Sequence, residues 1–202
     1  MKESHKNIGR RFLLPLTNLI VRLKIAPNTI TLMSIPFSLL AGYFLFQGLW
    51  FIAGPLLVLV ALFDTIDGEV ARKSQRINVK GAFLDSVIDR ISEILIFFSL
   101  FLYYQRNSIN IITLFNKQGH YIMTPIIFLT GFSSLLVSYI RARAEGIGKE
   151  CKIGLFERPI RFLVLIVGVI ILGPKYFIIA LTIILLGNIY TIFQRIFYVL
   201  RQ

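Results

Sequence analysis

Between Leu49 and Phe63 the chain reads LWFIAGPLLVLVALF, fifteen residues without a charged side chain. Such a run is hard to place on a soluble domain, and it is one of several. Six stretches are apolar over the roughly 20 residues that a helix needs to cross a bilayer. They are about Thr29–Phe46, Leu49–Val70, Gly81–Tyr104, Tyr121–Ile140, Gly154–Leu172 and Tyr176–Tyr198. Hydrocarbon offers no partner to a backbone N–H or C=O, so these segments are expected to be helices. With 56% hydrophobic residues and a mean hydropathy of +0.75, the chain reads as an all-α polytopic membrane protein with six transmembrane helices in one bundle. No internal repeat, low-complexity tract or long linker divides it, so residues 1–202 are expected to form a single domain.

Charge gives an orientation. If the N-terminus is cytoplasmic, all of the 22 Lys and Arg except Arg106, Lys117 and Lys175 fall on that side. The positive-inside rule then places both termini on the cytoplasmic face of the cell membrane. Within residues 1–27, Ile8, Phe12, Leu16, Leu19 and Leu23 recur every three or four positions. Lys6, Arg10, Arg11 and Arg22 fall on the other side. This is the pattern of an amphipathic helix lying in the interface; a solvated basic tail is the alternative. A single cysteine, Cys151, excludes an internal disulfide, and His5 and His120 are too far apart in sequence to suggest a zinc site.

Every aspartate of the chain lies between Asp64 and Asp89. Asp64 and Asp67 are one turn apart at the end of the second apolar stretch. Asp85 and Asp89 are one turn apart at the start of the third. Each pair therefore shares a helix face, and the short connection makes the two helices antiparallel neighbours. Four clustered carboxylates at a membrane boundary repel one another and are costly to desolvate. Hard oxygen donors from two facing helices suit Mg²⁺ or Mn²⁺, with two ions expected. Gly68 and Gly81 let a substrate approach the backbone, and Arg72 is placed to pair with a phosphate. Metal, glycine and arginine together point to phosphoryl transfer from a nucleotide-like donor. Taken singly, each feature has a plainer reading: a solvated helix end, or glycines that aid helix packing.

The stretch reads Asp64-x2-Asp67-Gly68-x2-Ala71-Arg72-x8-Gly81-x3-Asp85-x3-Asp89. It resembles the signature of the CDP-alcohol phosphotransferase family, with all eight fixed positions filled. The resemblance implies transfer of a phosphoalcohol group from a CDP-linked donor to an acceptor hydroxyl, with release of CMP. It implies that Asp64, Asp67, Asp85 and Asp89 bind the metals and that Asp89 also acts as general base. It further implies that Gly68, Ala71, Arg72 and Gly81 lie against the CDP moiety, with Pro27, Asn28, Thr29 and Ile30 closing over it. On local grounds alone, Asn28 or Thr29 reads better as a helix N-cap. Asn78 stands where the family often carries Thr or Ser and is kept as a weaker CDP contact. Family members are commonly homodimers, and no nucleic-acid partner is expected.

The stretch SYIRARAEGIGKECKIGLFERPIR, residues 138–161, bears on the acceptor. Ser138 and Arg141 share a helix face, Arg143 follows, and Arg158 and Arg161 begin the fifth apolar stretch. Beside a metal site such a cluster suits a second phosphate, one carried by the acceptor; positive-inside charge explains it as well. Its wording resembles the branch that makes phosphatidylinositol phosphate or archaetidylinositol phosphate. That resemblance implies inositol phosphate as acceptor, a CDP-diacylglycerol or CDP-archaeol donor, and Arg161, Arg143, Arg141 and Ser138 as phosphate contacts. Glycerol 3-phosphate is the nearest competing acceptor. A divalent-cation channel is the rival class, but the apolar outer halves of the second and third stretches offer no polar path.

Overall fold

The computed structural model describes residues 15–74, 79–107 and 120–202. Asn78 and the N-terminal residues Lys6, Ile8, Arg10, Arg11 and Phe12 lie outside the described residues. The described chain is all helix: α1 (15–22), α2 (Pro27–Phe46), α3 (Trp50–Lys73), α4 (Val79–Arg106), α5 (His120–Gly146), α6 (Arg158–Val167) and α7 (Gly173–Leu200). No strand occurs among the described residues.

Four segments are long and apolar enough to cross a membrane: Pro27–Phe46, Trp50–Lys73, Ile122–Gly146 and Arg158–Leu200. Six were expected, and two features account for the difference. α4 carries Lys80, Asp85, Asp89, Arg90 and Glu93 within its first fifteen residues, which lowers its hydropathy. The last segment is a continuous helical run in which α6 passes through a π-helical turn, Gly168–Leu172, into α7. That run reverses direction inside itself. Gly173 sits at φ +61°, a left-handed conformation that favours glycine. A side chain at Gly168 would meet Phe177 and Ala180 on the returning helix.

Proline sets the start of α2. Pro27 occupies the first turn after Ala26, which is extended and offers no capping side chain. Neither Asn28 nor Thr29 is therefore the N-cap; the fixed φ of proline pre-organises the turn instead. Similarly, Pro159 follows Glu157 at the start of α6, so that helix begins at Arg158 rather than Gly154, where φ is +152°.

α2 packs on α3 and α4, α5 on α4 and α7, and α6 on α3 and α7. Small residues let the backbones approach: Gly42 of α2 faces the Ser99 side chain of α4. Leu45, Leu57, Val60, Ile96, Leu100, Ile127 and Leu181 are fully or almost fully buried in the central core. One end is filled by Trp50, Tyr103, Tyr104 and Phe177 in edge-to-face contact. The aspartates lie towards the other end. There Ile30, Ile66 and Val70 form a smaller cluster on which Ile20 and Val21 of α1 pack. Lys73 Nζ donates to Asn18 Oδ1 over 2.7 Å and ties α1 to α3. Leu16, Leu19 and Leu23 remain exposed.

Candidate active site

α3 and α4 were expected to be packed neighbours; each packs on α2 instead, and the end of α3 and the start of α4 still bring their carboxylates together. One carboxylate oxygen from each of Asp64, Asp85 and Asp89 lies within 4.8 Å of the others. Asp67, one turn beyond Asp64, stands outside this trio. It is 5% exposed, and its Oδ2 accepts a 2.6 Å hydrogen bond from Thr31 Oγ1 of α2. The trio suits a hard divalent cation on two counts. Its donors are all carboxylate oxygens, and Asp85 Oδ1 is buried without a hydrogen-bond partner. An orphaned acceptor of that kind is costly unless something cationic reaches it.

Arginines surround the carboxylates. Arg158 Nη1 lies 2.7 Å from Asp64 Oδ1 and 2.8 Å from Asp89 Oδ1. Arg90 is 3.5 Å from Asp89 and 3.8 Å from Glu93, and donates to Ser138 Oγ. Arg161 is buried; its Nε and Nη2 lie 3.3 Å from Glu93 Oε1, and its Nη1 donates to the Phe156 carbonyl over 3.1 Å. Arg195, also buried, donates to the Ile153 and Val137 carbonyls over 2.8 and 2.6 Å. It thereby fastens the loop before α6 to α5.

Two cavities open on this centre. A smaller one of about 190 Å³ is lined by Pro27, Asn28, Thr31, Asp67, Gly68, Ala71, Arg72, Gly81, Ala82 and Asp85. Six of the residues expected to meet CDP thus share one cavity. Thr29 and Ile30 do not line it: Thr29 is exposed, and Ile30 is buried against Ile66 and Val70. Arg72 is half exposed and paired with Glu69 over 2.8 Å. A larger cavity of about 500 Å³ includes Asp64, Asp85, Asp89, Ser138, Arg141, Arg158, Arg161 and Arg195 in its wall. The two share Ala82 and Asp85, so a group in one can reach a group in the other at the carboxylates. Arg143 lies elsewhere. It borders an apolar groove with Tyr139, Ile140 and Ile196, on the far side of α5 from Arg141. Two residues along a helix turn the side chain through about 200°, which separates Arg141 from Arg143.

Sequence reasoning passed over Thr31 and Arg195, and it counted Arg158 in the basic cluster without foreseeing its contact with Asp64 and Asp89. Thr31 follows Pro27 by one turn, so its helical spacing was a usable signal. Arg158 precedes Arg161 by three residues and shares its face. Arg195 carried no local signal, because only the packing of α7 on α5 brings it in.

The sequence pattern of the CDP-alcohol phosphatidyltransferase family matches residues 24–194. An uncharacterized protein of Aquifex aeolicus is 39% identical over 91% of this chain and 86% of its own length. The phosphatidylinositol phosphate synthase of Cutibacterium acnes is 30% identical over 90% of this chain and 88% of its own. The archaetidylinositol phosphate synthase of Methanothermobacter thermautotrophicus is 29% identical over 98% and 94%. Among solved structures, Mycobacterium tuberculosis phosphatidylinositol phosphate synthase with CDP-DAG bound superposes with a TM-score of 0.79. It is 23% identical, with 94% of each chain covered. The same enzyme with manganese and citrate gives a TM-score of 0.78 at 24% identity, with 92% of this chain and 87% of that one covered. With its family pattern matched from residue 24 to residue 194 on a bundle of membrane-length helices, this chain belongs to the CDP-alcohol phosphatidyltransferase family and is an integral membrane transferase of phospholipid biosynthesis.

Proposed function

We propose that the protein transfers a phosphatidyl-type group from a CDP-lipid, CDP-diacylglycerol or CDP-archaeol, to a hydroxyl of inositol phosphate, releasing CMP. The observation that carries this reading is the meeting of two chemically different cavities at Asp85. The smaller, with glycines on the α3 and α4 walls and Arg72 at its edge, suits a nucleotide diphosphate. The larger has arginines opposite carboxylates, as a phosphorylated polyol requires. Ser138, Arg141, Arg158, Arg161 and Arg195 are its phosphate-facing candidates. Relatives named for the synthesis of phosphatidylinositol phosphate and archaetidylinositol phosphate support the same acceptor.

In this reading Asp64, Asp67, Asp85 and Asp89 hold two divalent ions, Mg²⁺ or Mn²⁺. When bound, the ions neutralise charge that builds up on the diphosphate during transfer. Asp64, Asp85 and Asp89 already converge. Thr31 fixes the rotamer of Asp67 from the side of the nucleotide cavity. Asp89 takes the proton from the acceptor hydroxyl. The freed oxygen attacks the phosphorus that bears the lipid, the bond from that phosphorus to the bridging oxygen breaks, and CMP departs with the electron pair. The arginines orient the acceptor phosphate so that its ring hydroxyl faces Asp89.

The wider reading is one domain over residues 1–202 with six membrane passes. α4 and the α6–α7 hairpin supply the passes that length and hydropathy alone do not resolve. The site faces the cytoplasm at the cell membrane, where soluble inositol phosphate is met, and the protein works as a homodimer. A channel is disfavoured by the aromatic plug of Trp50, Tyr103, Tyr104 and Phe177.

An acceptor panel tests the assignment. Purified protein with each CDP-lipid and Mg²⁺ is given inositol phosphate, glycerol 3-phosphate, inositol or serine, and CMP release is followed. Inositol phosphate should be the fastest acceptor by about tenfold or more, the discrimination expected of one well-placed charge-assisted hydrogen bond. Faster turnover with glycerol 3-phosphate or unphosphorylated inositol would overturn the acceptor.

A further inference from the structure

Three arginines of the larger cavity, Arg161 and Arg195 buried and Arg158 partly so, are held in different ways. Arg161 rests on Glu93 and the Phe156 carbonyl. Arg195 rests on the Ile153 and Val137 carbonyls. None of these partners belongs to the converging carboxylates. Arg158 is different: its carboxylate partners are Asp64 and Asp89, at 2.7 and 2.8 Å. Those are two of the three residues whose oxygens converge. The third, Asp85, has a buried Oδ1 that no group reaches. Arg158 therefore serves two of the three carboxylates at close range, with Arg90 at 3.5 Å from Asp89 as a longer contact, whereas a divalent ion on the trio would serve all three.

A guanidinium and a divalent cation repel each other and claim the same oxygens, so both cannot hold them at full strength. Resting on the metal reading given above, we propose that Arg158 is an internal competitor for the metal seat. A divalent cation that binds Asp64, Asp85 and Asp89 displaces the Arg158 guanidinium into the arginine-lined cavity, where it meets the acceptor phosphate. Local structure permits the swing. Arg158 stands at the first turn of α6 and already lines that cavity. Its Nε has no hydrogen-bond partner to anchor it. Its Cζ lies 5.7 Å from the centre of the Phe162 ring, one turn along, which supports the guanidinium from the helix side. Because one event takes the metal and frees the arginine, metal and phosphate each tighten the binding of the other, and by the same factor.

The test uses the full-length protein in lipid nanodiscs. Phenylglyoxal modification is read at each arginine by peptide mass spectrometry, without and with saturating Mn²⁺, and Mn²⁺ affinity is read by calorimetry. Mn²⁺ should raise modification at Arg158 by about fivefold or more, in the usual range of coupling between sites. Modification at Arg161 and Arg195 should stay unchanged, since no metal contests their partners. Arg158→Gln should bind Mn²⁺ about tenfold tighter than wild type, the competing ion pair having been removed. Asp64→Asn should expose Arg158 to phenylglyoxal even without metal. If Mn²⁺ binds and Arg158 stays as protected as before, the competition is wrong and the metal reading stands. If no Mn²⁺ binds at all, the metal reading fails and the competition with it.

Discussion

Thr31 of α2 donates through Oγ1 to Asp67 Oδ2 of α3 over 2.6 Å, and both side chains are buried. The bond fixes a carboxylate from a residue that lines the smaller cavity, so under the proposed function it ties donor binding to the position of Asp67. A hydrogen bond to a charged group contributes about 1.5–3 kcal/mol. Thr31→Val keeps the shape and loses the donor, and should lower kcat with a CDP-lipid by about 10- to 100-fold. Thr31→Ser should recover most of it. Equal activity of the valine variant would show that Asp67 needs no orienting partner.

Asp67→Asn and Asp85→Asn should each leave less than about a tenth of wild-type CMP release, a barrier increase above about 1.4 kcal/mol. Removing a carboxylate also relieves repulsion, so thermal stability without added metal should hold or rise. Calorimetry with Mn²⁺ separates the cause: affinity should fall in both variants. Retained turnover in either one would remove that residue from the ligand set.

Asp89→Asn is expected to behave differently. Three carboxylates remain, so divalent ions and the CDP-lipid should still bind, more weakly. Turnover should drop by roughly 10² or more, as for the loss of a general base. A full pH–rate profile with unaltered turnover would exclude Asp89 from proton transfer.

The arginines separate by what they touch. Arg141 lines the larger cavity, proposed to hold the acceptor, while Arg143 borders an apolar groove. In the proposed reading Arg141→Ala removes a charge-assisted hydrogen bond to the acceptor phosphate. It should raise KM for inositol phosphate by about 10- to 100-fold and leave KM for the CDP-lipid nearly unchanged. Arg143→Ala should change neither. Equal, small effects from both would favour simple positive-inside charge over a phosphate grip.

Arg161 is expected to matter for folding as well as binding. It pairs with Glu93 at 3.3 Å, and both are buried. Arg161→Ala leaves that carboxylate uncompensated, a loss of about 3 kcal/mol at the lower end of the range for broken buried pairs. The lower end applies because Arg90 Nε remains 3.8 Å from Glu93. The thermal midpoint of Arg161→Ala should fall, and the double variant with Glu93→Ala should recover part of the loss. Unchanged stability would show that the pair is not needed for the fold.

The residue pattern foretold the helices and the α3–α4 carboxylate cluster, because both depend on local spacing: apolar runs of membrane length, and aspartates three and four residues apart. Six of the residues expected to meet CDP line one cavity for the same reason. The pattern missed what depends on tertiary packing. Arg195 reaches the site only because α7 packs on α5, more than 40 residues from the Ile153 carbonyl that it binds. Arg143 was expected to contact the acceptor phosphate ahead of Arg141, but the helix phase puts it on another face. The N-cap of α2 was misread because proline at the first turn makes a capping side chain unnecessary.

The most direct measurement is a single incubation of the purified protein with CDP-diacylglycerol, inositol phosphate and Mg²⁺, with lipid product and CMP both quantified by mass spectrometry. The account predicts phosphatidylinositol phosphate and CMP in equal amounts, with both lost on chelation of the metal and restored by Mn²⁺. CMP without that lipid, or the lipid formed at the same rate with the metal chelated, would contradict it.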